Sequence, residues 1–205
     1  MSRTHLIELI QRLPELRPGQ EIIWEIYLAM GRSLRTGGKL LLCGNGGSAA
    51  DADHWAGELL KGFRRLRPLT TEQRAGLPEE TAHRLQGALP AIPLTGFTAF
   101  SSAFANDVCA ELVIAQLTWA LGRRGDVWVG LSTSGNARNV CAAAEVARTM
   151  GLITVGLTGS GGGQLAGLCN LCIRAPATET FRVQEYHLPI YHCLSLMLED
   201  DFFLS

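Results

Sequence analysis

The first 36 residues carry apolar side chains at helical spacing. In residues 4–13 and again in 21–34, apolar positions recur at i, i+3, i+4 and i+7, the pattern of a helix with one buried face. Pro14, Pro18 and Gly19 lie between the two stretches and interrupt them. The pattern therefore predicts an N-terminal helical hairpin.

From residue 39 onward, short apolar runs alternate with helical patterns. Five runs are nearly continuous in apolar character, which is typical of parallel strands buried on both faces. These runs span 39–44, 90–95, 126–132, 153–159 and 170–176. The helical patterns span 49–62, 107–122, 137–150 and 182–199. The alternation predicts an α/β fold, a Rossmann-like three-layer αβα sandwich with a five-stranded parallel sheet. We interpret residues 1–205 as a single domain.

One segment, residues 64–90, departs from this alternation. It is rich in arginine and polar residues, contains three prolines, and is longer than an ordinary connection. Residues 81–89 within it have the pattern of a short helix. We interpret the segment as a surface insertion; the alternative is a lid or a subunit contact.

Composition narrows the class of protein. The chain has 47% hydrophobic and 18% charged residues with a formal net charge of -1, which is typical of a soluble globular protein. That charge does not favour nucleic-acid binding. We find no apolar run near the length of a membrane span and no signal-peptide pattern, so we expect a cytoplasmic protein without membrane contact. The six cysteines lie mostly in apolar segments and are interpreted as reduced.

The first predicted strand leads into the glycine-rich loop CGNGGS and then a helix. We expect Ser48 to cap that helix, with Asp51 three residues on, and the free N–H groups at the helix start to bind an anion. A dinucleotide fingerprint fits Gly44 and Gly46 but meets Ala49 at its third glycine position. No ribose-binding acid and no Walker lysine follow, which disfavours a nucleotide.

A second loop, LSTSGNARN, follows the third predicted strand. Ser132, Thr133 and Ser134 place three hydroxyl groups just before a helix that is predicted to begin near Asn136. Hydroxyl groups and helix N–H groups together suit a phosphate monoester. A serine-rich turn that only caps a helix has the same pattern. The presence of two such loops at strand ends favours the phosphate site.

Two helices carry candidate chemistry. His54 and Glu58 are four residues apart and share a helix face, which suits either zinc binding or a hydrogen-bonded surface pair. The last predicted helix carries polar residues on an otherwise apolar surface. These residues are Gln184, Glu185, His187 and His192. Pro189 within that helix predicts a kink or a late helix start.

The segments GNGGSAADADHWAGEL, GLSTSGNARNV and VQEYHLPIYH together resemble the sugar isomerase (SIS) domain family, and within it the phosphoheptose isomerases. The resemblance covers roughly residues 3–200 apart from 64–90. It implies the SIS fold, a homotetramer with the N-terminal helices in the interface, and conversion of sedoheptulose 7-phosphate to D-glycero-D-manno-heptose 7-phosphate through an enediol.

The resemblance also implies roles for individual residues. The implied Zn²⁺ ligands are His54, Glu58, Gln184 and His192. Glu58 is the implied base and His192 its acid/base partner. The implied substrate-binding residues are Asn45, Gly46, Gly47, Ser48, Asp107, Ser132, Thr133, Ser134, Asn136 and Gln184. Ala137 stands where the family usually has serine, and KGF replaces the family's arginine-containing GRF or GRY, so Lys61 or Arg64 would substitute.

The sequence leaves three questions open. Gln184 and His192 are eight residues apart, about 12 Å along a regular helix. Either their side chains lean together, or the helix is distorted near Pro189, or the site is shared between subunits. The chain could also be a non-catalytic SIS module that senses a sugar phosphate or binds a replication initiator. The third question is whether the substrate is a different ketose phosphate.

Overall fold

The computed structural model describes residues 3–203 and begins with the predicted helical hairpin. Helix α1 (Arg3–Arg12) and helix α2 (Gln20–Arg35) are joined by a 3-10 turn, Pro14–Gly19. Their apolar faces belong to one hydrophobic core, shared with the sheet and the last helix. Burial of these faces stabilises two helices that would be marginal in isolation.

The centre of the fold is a five-stranded, entirely parallel sheet. Its strands are β1 (Leu40–Cys43), β2 (Ala91–Pro93), β3 (Val127–Leu131), β4 (Ile153–Thr158) and β5 (Leu171–Arg174). Their spatial order is β2-β1-β3-β4-β5. This confirms the predicted α/β fold class. Since the chain moves from β1 to one side and then returns to the other, β1 and β3 flank the point where strand order reverses. Ligands of open α/β sheets bind at that point.

The part of the chain that the structure describes contains eight further α-helices. They are α3 (Gly47–Leu60), α4 (Thr71–Arg74), α5 (Glu79–Arg84), α6 (Thr98–Phe104), α7 (Val113–Leu121), α8 (Arg138–Thr149), α9 (Leu165–Leu168) and α10 (Thr180–Phe203). Helix α10 runs without interruption through Pro189, so the alternative of a late helix start was wrong. Within residues 3–203, no helix has both the length and the apolar character needed to cross a bilayer.

The predicted helix 107–122 was wrong over its first six residues. Residues Ala105–Cys109 form a π-helical stretch and Ala110–Leu112 a 3-10 turn, and regular helix begins only at Val113. None of residues 98–112 is buried. The physical reason is that helical periodicity enforces a regular helix only where one face packs against the core.

The insertion at 64–90 is anchored by a buried ion pair. Arg67 is 1% exposed; its Nε lies 2.9 Å from Glu199 Oε1, and its other nitrogens donate to the carbonyls of Leu59 (2.8 Å) and Glu58 (3.1 Å). Those carbonyls belong to the last turn of α3, where backbone acceptors lack helical partners. Arg67 therefore ties the start of the insertion to the helix that carries the predicted active-site residues.

Candidate active site

A cavity of about 310 Å³ lies at the carboxyl ends of β1 and β3. Its lining residues are Asn45, Gly46, Gly47, Ser48, Leu131, Ser132, Thr133, Ser134, Ala137, Thr180 and Gln184. We call this cavity the cradle. It brings together seven residues that the sequence predicted to bind phosphate or substrate in the two loops, together with Gln184 from α10. The lining residues found in the described part of the chain are all uncharged.

Three helices begin at the cradle. Helix α3 starts at Gly47, α8 follows its N-cap Ala137, and α10 starts at Thr180, and all three of these residues line the cavity. The start of a helix carries free N–H groups and a partial positive charge, each favourable to an anion. Three helix starts at one cavity therefore favour an anion there, although the lining side chains carry no charge.

Loop one places Ser48 differently from the prediction. Gly46, not Ser48, is the N-cap of α3, with φ 53° and ψ -122°, a conformation that L side chains rarely adopt. No side chain caps this helix end. Ser48 is instead the second helical residue, 4% exposed and lining the cradle. The capping prediction was wrong because the turn into the helix is made by glycine two residues earlier, at Gly46.

Loop two is held in shape by Asn136, which does not itself line the cradle. Its backbone N–H donates to Ser134 Oγ (3.1 Å), its Nδ2 donates to the Ser134 carbonyl (3.1 Å), and its Oδ1 accepts from Gln164 N (3.0 Å). Helix α8 begins at Arg138, two residues later than Asn136. In this structure, Asn136 therefore positions the hydroxyl loop by fixing its backbone.

A pair of amides joins the two loops. Asn45 Nδ2 donates to Asn139 Oδ1, and Asn139 Nδ2 donates back to Asn45 Oδ1, each at 2.9 Å. Reasoning from the sequence missed Asn139, although it ends the quoted loop LSTSGNARN. Since β1 and β3 are neighbours, this pair fixes the distance between the two halves of the cradle.

Gln184 lies directly over the start of α3. A methyl group added to Gly47 would come within 2.5 Å of Gln184 Nε2, so glycine is what allows this approach. In this conformation Gln184 lines the cradle, two helical turns from His192. Its predicted roles in substrate binding and as a zinc ligand both stay predictions.

We expect Gly47→Ala to displace Gln184 and weaken substrate binding. The expected result is a KM for the substrate raised about tenfold, equivalent to one lost hydrogen bond. Steady-state kinetics measures it. The matched control is Gly57→Ala on the same helix, where the added methyl meets no atom within 4 Å. An unchanged KM in Gly47→Ala would contradict a binding role for Gln184 in this position.

Farther along α3 and α10, three predicted residues meet. One potential ligand atom from each of His54, Glu58 and His192 lies within 4.8 Å of the others. His54 Nε2 is 3.1 Å from Glu58 Oε1, and the ring centroids of His54 and His192 are 5.2 Å apart. We call these three residues the triad. The structure thus brings His192 to the His54/Glu58 pair within a single chain.

His192 is suited to act as a neutral base or ligand. Burial, and next the nearby His54, lower its pKa below the ordinary histidine value. Its Nε2 atom is buried with no hydrogen-bond partner among the described residues. Its ring packs on Phe63 at a centroid distance of 5.2 Å and also borders a second cavity, of about 240 Å³, between α1 and α10. The Nε2 nitrogen is therefore free to bind a cation held by the triad.

Two other polar residues do not join the triad or the cradle. His187 is fully buried, and burial lowers its pKa to about 4; its Nε2 lies 3.3 Å from the Thr158 carbonyl, a structural contact. Asp107 lies on the exposed π-helical stretch and accepts a 2.8 Å hydrogen bond from Asn106. The predicted sugar contact of Asp107 stays a prediction, because within the described chain it does not line the cradle.

Comparison with known proteins agrees with this geometry. The SIS domain family model matches residues 18–159. A phosphoheptose isomerase from Rhodospirillum rubrum is 42% identical over 168 residues, which cover 82% of this chain and 79% of that protein. The chain belongs to the phosphoheptose isomerase family of SIS-domain proteins.

Two further relatives extend the match over nearly the whole chain. A phosphoheptose isomerase from Helicobacter hepaticus is 39% identical over 195 residues, or 95% of this chain and 88% of that one. The solved phosphoheptose isomerase from Neisseria gonorrhoeae covers 96% of both chains with a TM-score of 0.77 and 32% identity. Family membership makes this protein an aldose-ketose isomerase, which confirms the enzyme class predicted from the motifs.

Proposed function

We propose that this isomerase converts sedoheptulose 7-phosphate to D-glycero-D-manno-heptose 7-phosphate through an enediol. The observation that carries the proposal is the placement of the cradle and the triad along the same two helices. Helix α3 supplies Gly47 and Ser48 to one and His54 and Glu58 to the other, and α10 supplies Gln184 and His192. One substrate can therefore bind by its phosphate at one end and react at the other.

The distance between the two sites favours a long substrate. Ser48 and Glu58 are ten residues apart on α3, about 15 Å along the axis. An extended carbon chain advances about 1.2 Å per bond, so C1 of a ketoheptose 7-phosphate lies roughly 8–10 Å from phosphorus. A seven-carbon chain therefore covers more of the axial separation than a shorter sugar phosphate does, and a triose phosphate is about 5 Å shorter.

The triad fits a zinc ion. Two histidines and a carboxylate are ordinary zinc ligands, and the spacing of their ligand atoms together with the unpartnered, buried His192 Nε2 suits a single cation. We propose His54, Glu58 and His192 as the residues that hold it, with Gln184 as the fourth ligand implied by the family. When bound, zinc would stabilise negative charge that develops on the substrate oxygens.

Glu58 and His192 divide the proton transfers. Glu58 takes a proton from C1 of the ketose and returns it to C2, which converts C1 into the aldehyde carbon. His192 moves the matching proton between the oxygens on C1 and C2, and it would do so through the ring nitrogen that does not hold the metal, so that no proton is gained or lost overall. The two oxygens of Glu58 have different neighbours, since Oε1 faces His54 at 3.1 Å and Oε2 lies 4.0 Å from Lys61 Nζ. One oxygen can therefore serve as ligand and the other as base.

The proposal is tested by incubating zinc-supplied protein with sedoheptulose 7-phosphate and following the sugar by NMR. We expect the heptose phosphate to appear, a chelator to stop the reaction, and added zinc to restore it. Fructose 6-phosphate and ribulose 5-phosphate are the comparison substrates. Faster turnover of either shorter sugar would overturn the substrate assignment.

The same preparation distinguishes an enzyme from a non-catalytic module that only binds the sugar phosphate. Saturable binding of sedoheptulose 7-phosphate without any turnover, at full zinc occupancy, would favour a sugar-phosphate sensor and overturn the proposal. Light scattering of this sample tests the homotetramer that the family resemblance implies. A monomer at assay concentration would contradict that part of the proposal.

A further inference from the structure

The hydroxyl group of Tyr191 connects the triad to the half-buried carboxylate of Asp51. It lies 2.9 Å from His54 Nδ1 and 3.2 Å from Asp51 Oδ1. Tyr191 is fully buried, and its ring stacks on Trp55 at 5.4 Å with an interplanar angle of 19°. Tyr191 thus has a fixed position between the two helices that supply the triad.

The direction of these hydrogen bonds follows from the number of protons available, because the phenol of Tyr191 has a single proton to donate. An ionised Asp51 carboxylate can only accept, so the single phenol proton is directed to it. The phenol oxygen then accepts from His54, which places the imidazole proton on Nδ1. In that tautomer Nε2 keeps its lone pair for a cation, and such a cation would also meet Glu58, whose Oε1 lies 3.1 Å from Nε2.

We propose that Tyr191 and Asp51 are positioning residues that hold His54 in the tautomer and ring orientation needed to bind a metal ion through Nε2. This inference rests on the proposed function, because it presumes that the triad holds zinc. Metal-binding histidines ordinarily donate their second ring N–H to an oxygen acceptor that fixes the tautomer. Here a tyrosine stands between the histidine and the carboxylate, and it comes from the same helix as His192.

The chain contains a matched control for this arrangement. Tyr27 on α2 is 5% exposed, and its hydroxyl donates to Asp201 Oδ2 at 2.9 Å. Tyr27→Phe and Tyr191→Phe therefore remove the same group, a buried phenol hydroxyl bonded to an aspartate. Only the second removes a contact to His54.

We expect Tyr191→Phe to weaken zinc binding by about 10- to 100-fold, the usual effect of losing an outer hydrogen-bond partner of a metal ligand. Competition with a chromophoric chelator measures the zinc Kd without reference to activity. Tyr27→Phe should keep the wild-type Kd. Asp51→Asn keeps the packing of Tyr191 and carries the same test if Tyr191→Phe is unstable. Its charge control is Asp53→Asn, because Asp53 bonds to Thr95 instead.

The outcomes distinguish this inference from the proposed function. A wild-type zinc Kd in both Tyr191→Phe and Asp51→Asn would overturn the positioning role and leave the isomerase proposal intact. Wild-type protein that binds no zinc, but isomerises the sugar, would overturn the metal site and this inference with it. Equal losses in Tyr27→Phe and Tyr191→Phe would show a general effect on folding and would also overturn it.

Discussion

Glu58→Gln should reduce isomerase turnover by about 10²- to 10⁴-fold, the range typical for loss of a general base. The amide has nearly the same size as the carboxylate but cannot accept the proton from C1. The Glu58 side chain is only 14% exposed, so an isosteric replacement is needed to keep the surrounding packing. Turnover of sedoheptulose 7-phosphate is the first readout. Exchange of the C1 proton with deuterated solvent is the second, because it reports removal of that proton without the later steps.

The two proposed roles of Glu58 are separated by measuring zinc in the same sample. A variant that retains zinc but loses proton exchange supports the role of base. A variant that loses both supports a role as ligand. Asp53→Asn removes a carboxylate from the same helix and should retain wild-type turnover. A Glu58→Gln variant whose rate of proton exchange stays within about threefold of wild type would contradict the assignment of Glu58 as base. A loss that small is far less than the reduction expected when a general base is removed.

Glu199→Leu should lower the free energy of unfolding by about 3–5 kcal/mol, because it leaves a buried guanidinium without its counter-ion. The guanidinium is that of Arg67, and the side chains of Arg67 and Glu199 are 0% and 1% exposed. Glu199 also accepts from the backbone N–H groups of Phe63 (2.8 Å) and Arg64 (2.9 Å), so the substitution removes three hydrogen bonds at one point. Urea denaturation measures the change.

A surface pair provides the control for this prediction. Arg138 and Glu111 form a 3.1 Å ion pair with side chains 84% and 58% exposed, and such pairs contribute about 0–1 kcal/mol. Glu111→Ala should therefore change stability by less than about 1 kcal/mol. If both substitutions cost the same, the buried pair does not anchor the insertion. The double variant Arg67→Met with Glu199→Leu should recover part of the loss, because no unpaired charge then remains buried.

Local patterns in the sequence determined most of the architecture. Each strand was found within one or two residues of its predicted ends, since a run of apolar residues must be buried whatever surrounds it. The two loops were recognised because glycines or hydroxyl groups lie directly before a helix in both, and both loops follow the end of a strand. His54 and Glu58 share a helix face as a consequence of their spacing alone. Prediction was wrong for residues 107–112, where helical periodicity is present but no core contact enforces it.

Only the tertiary structure decided how distant segments meet. His192 follows Glu58 by 134 positions, and no local pattern shows that α10 packs along α3 and places the two within metal-binding distance. The same holds for the Tyr191–Asp51 contact, the Asn45–Asn139 pair and the Arg67–Glu199 ion pair, each of which joins segments far apart in the chain. The sequence by itself determined which chemical groups are available and on which element each lies, because those properties are local. Their assembly into one site depends on strand order and helix packing, which are properties of the whole fold.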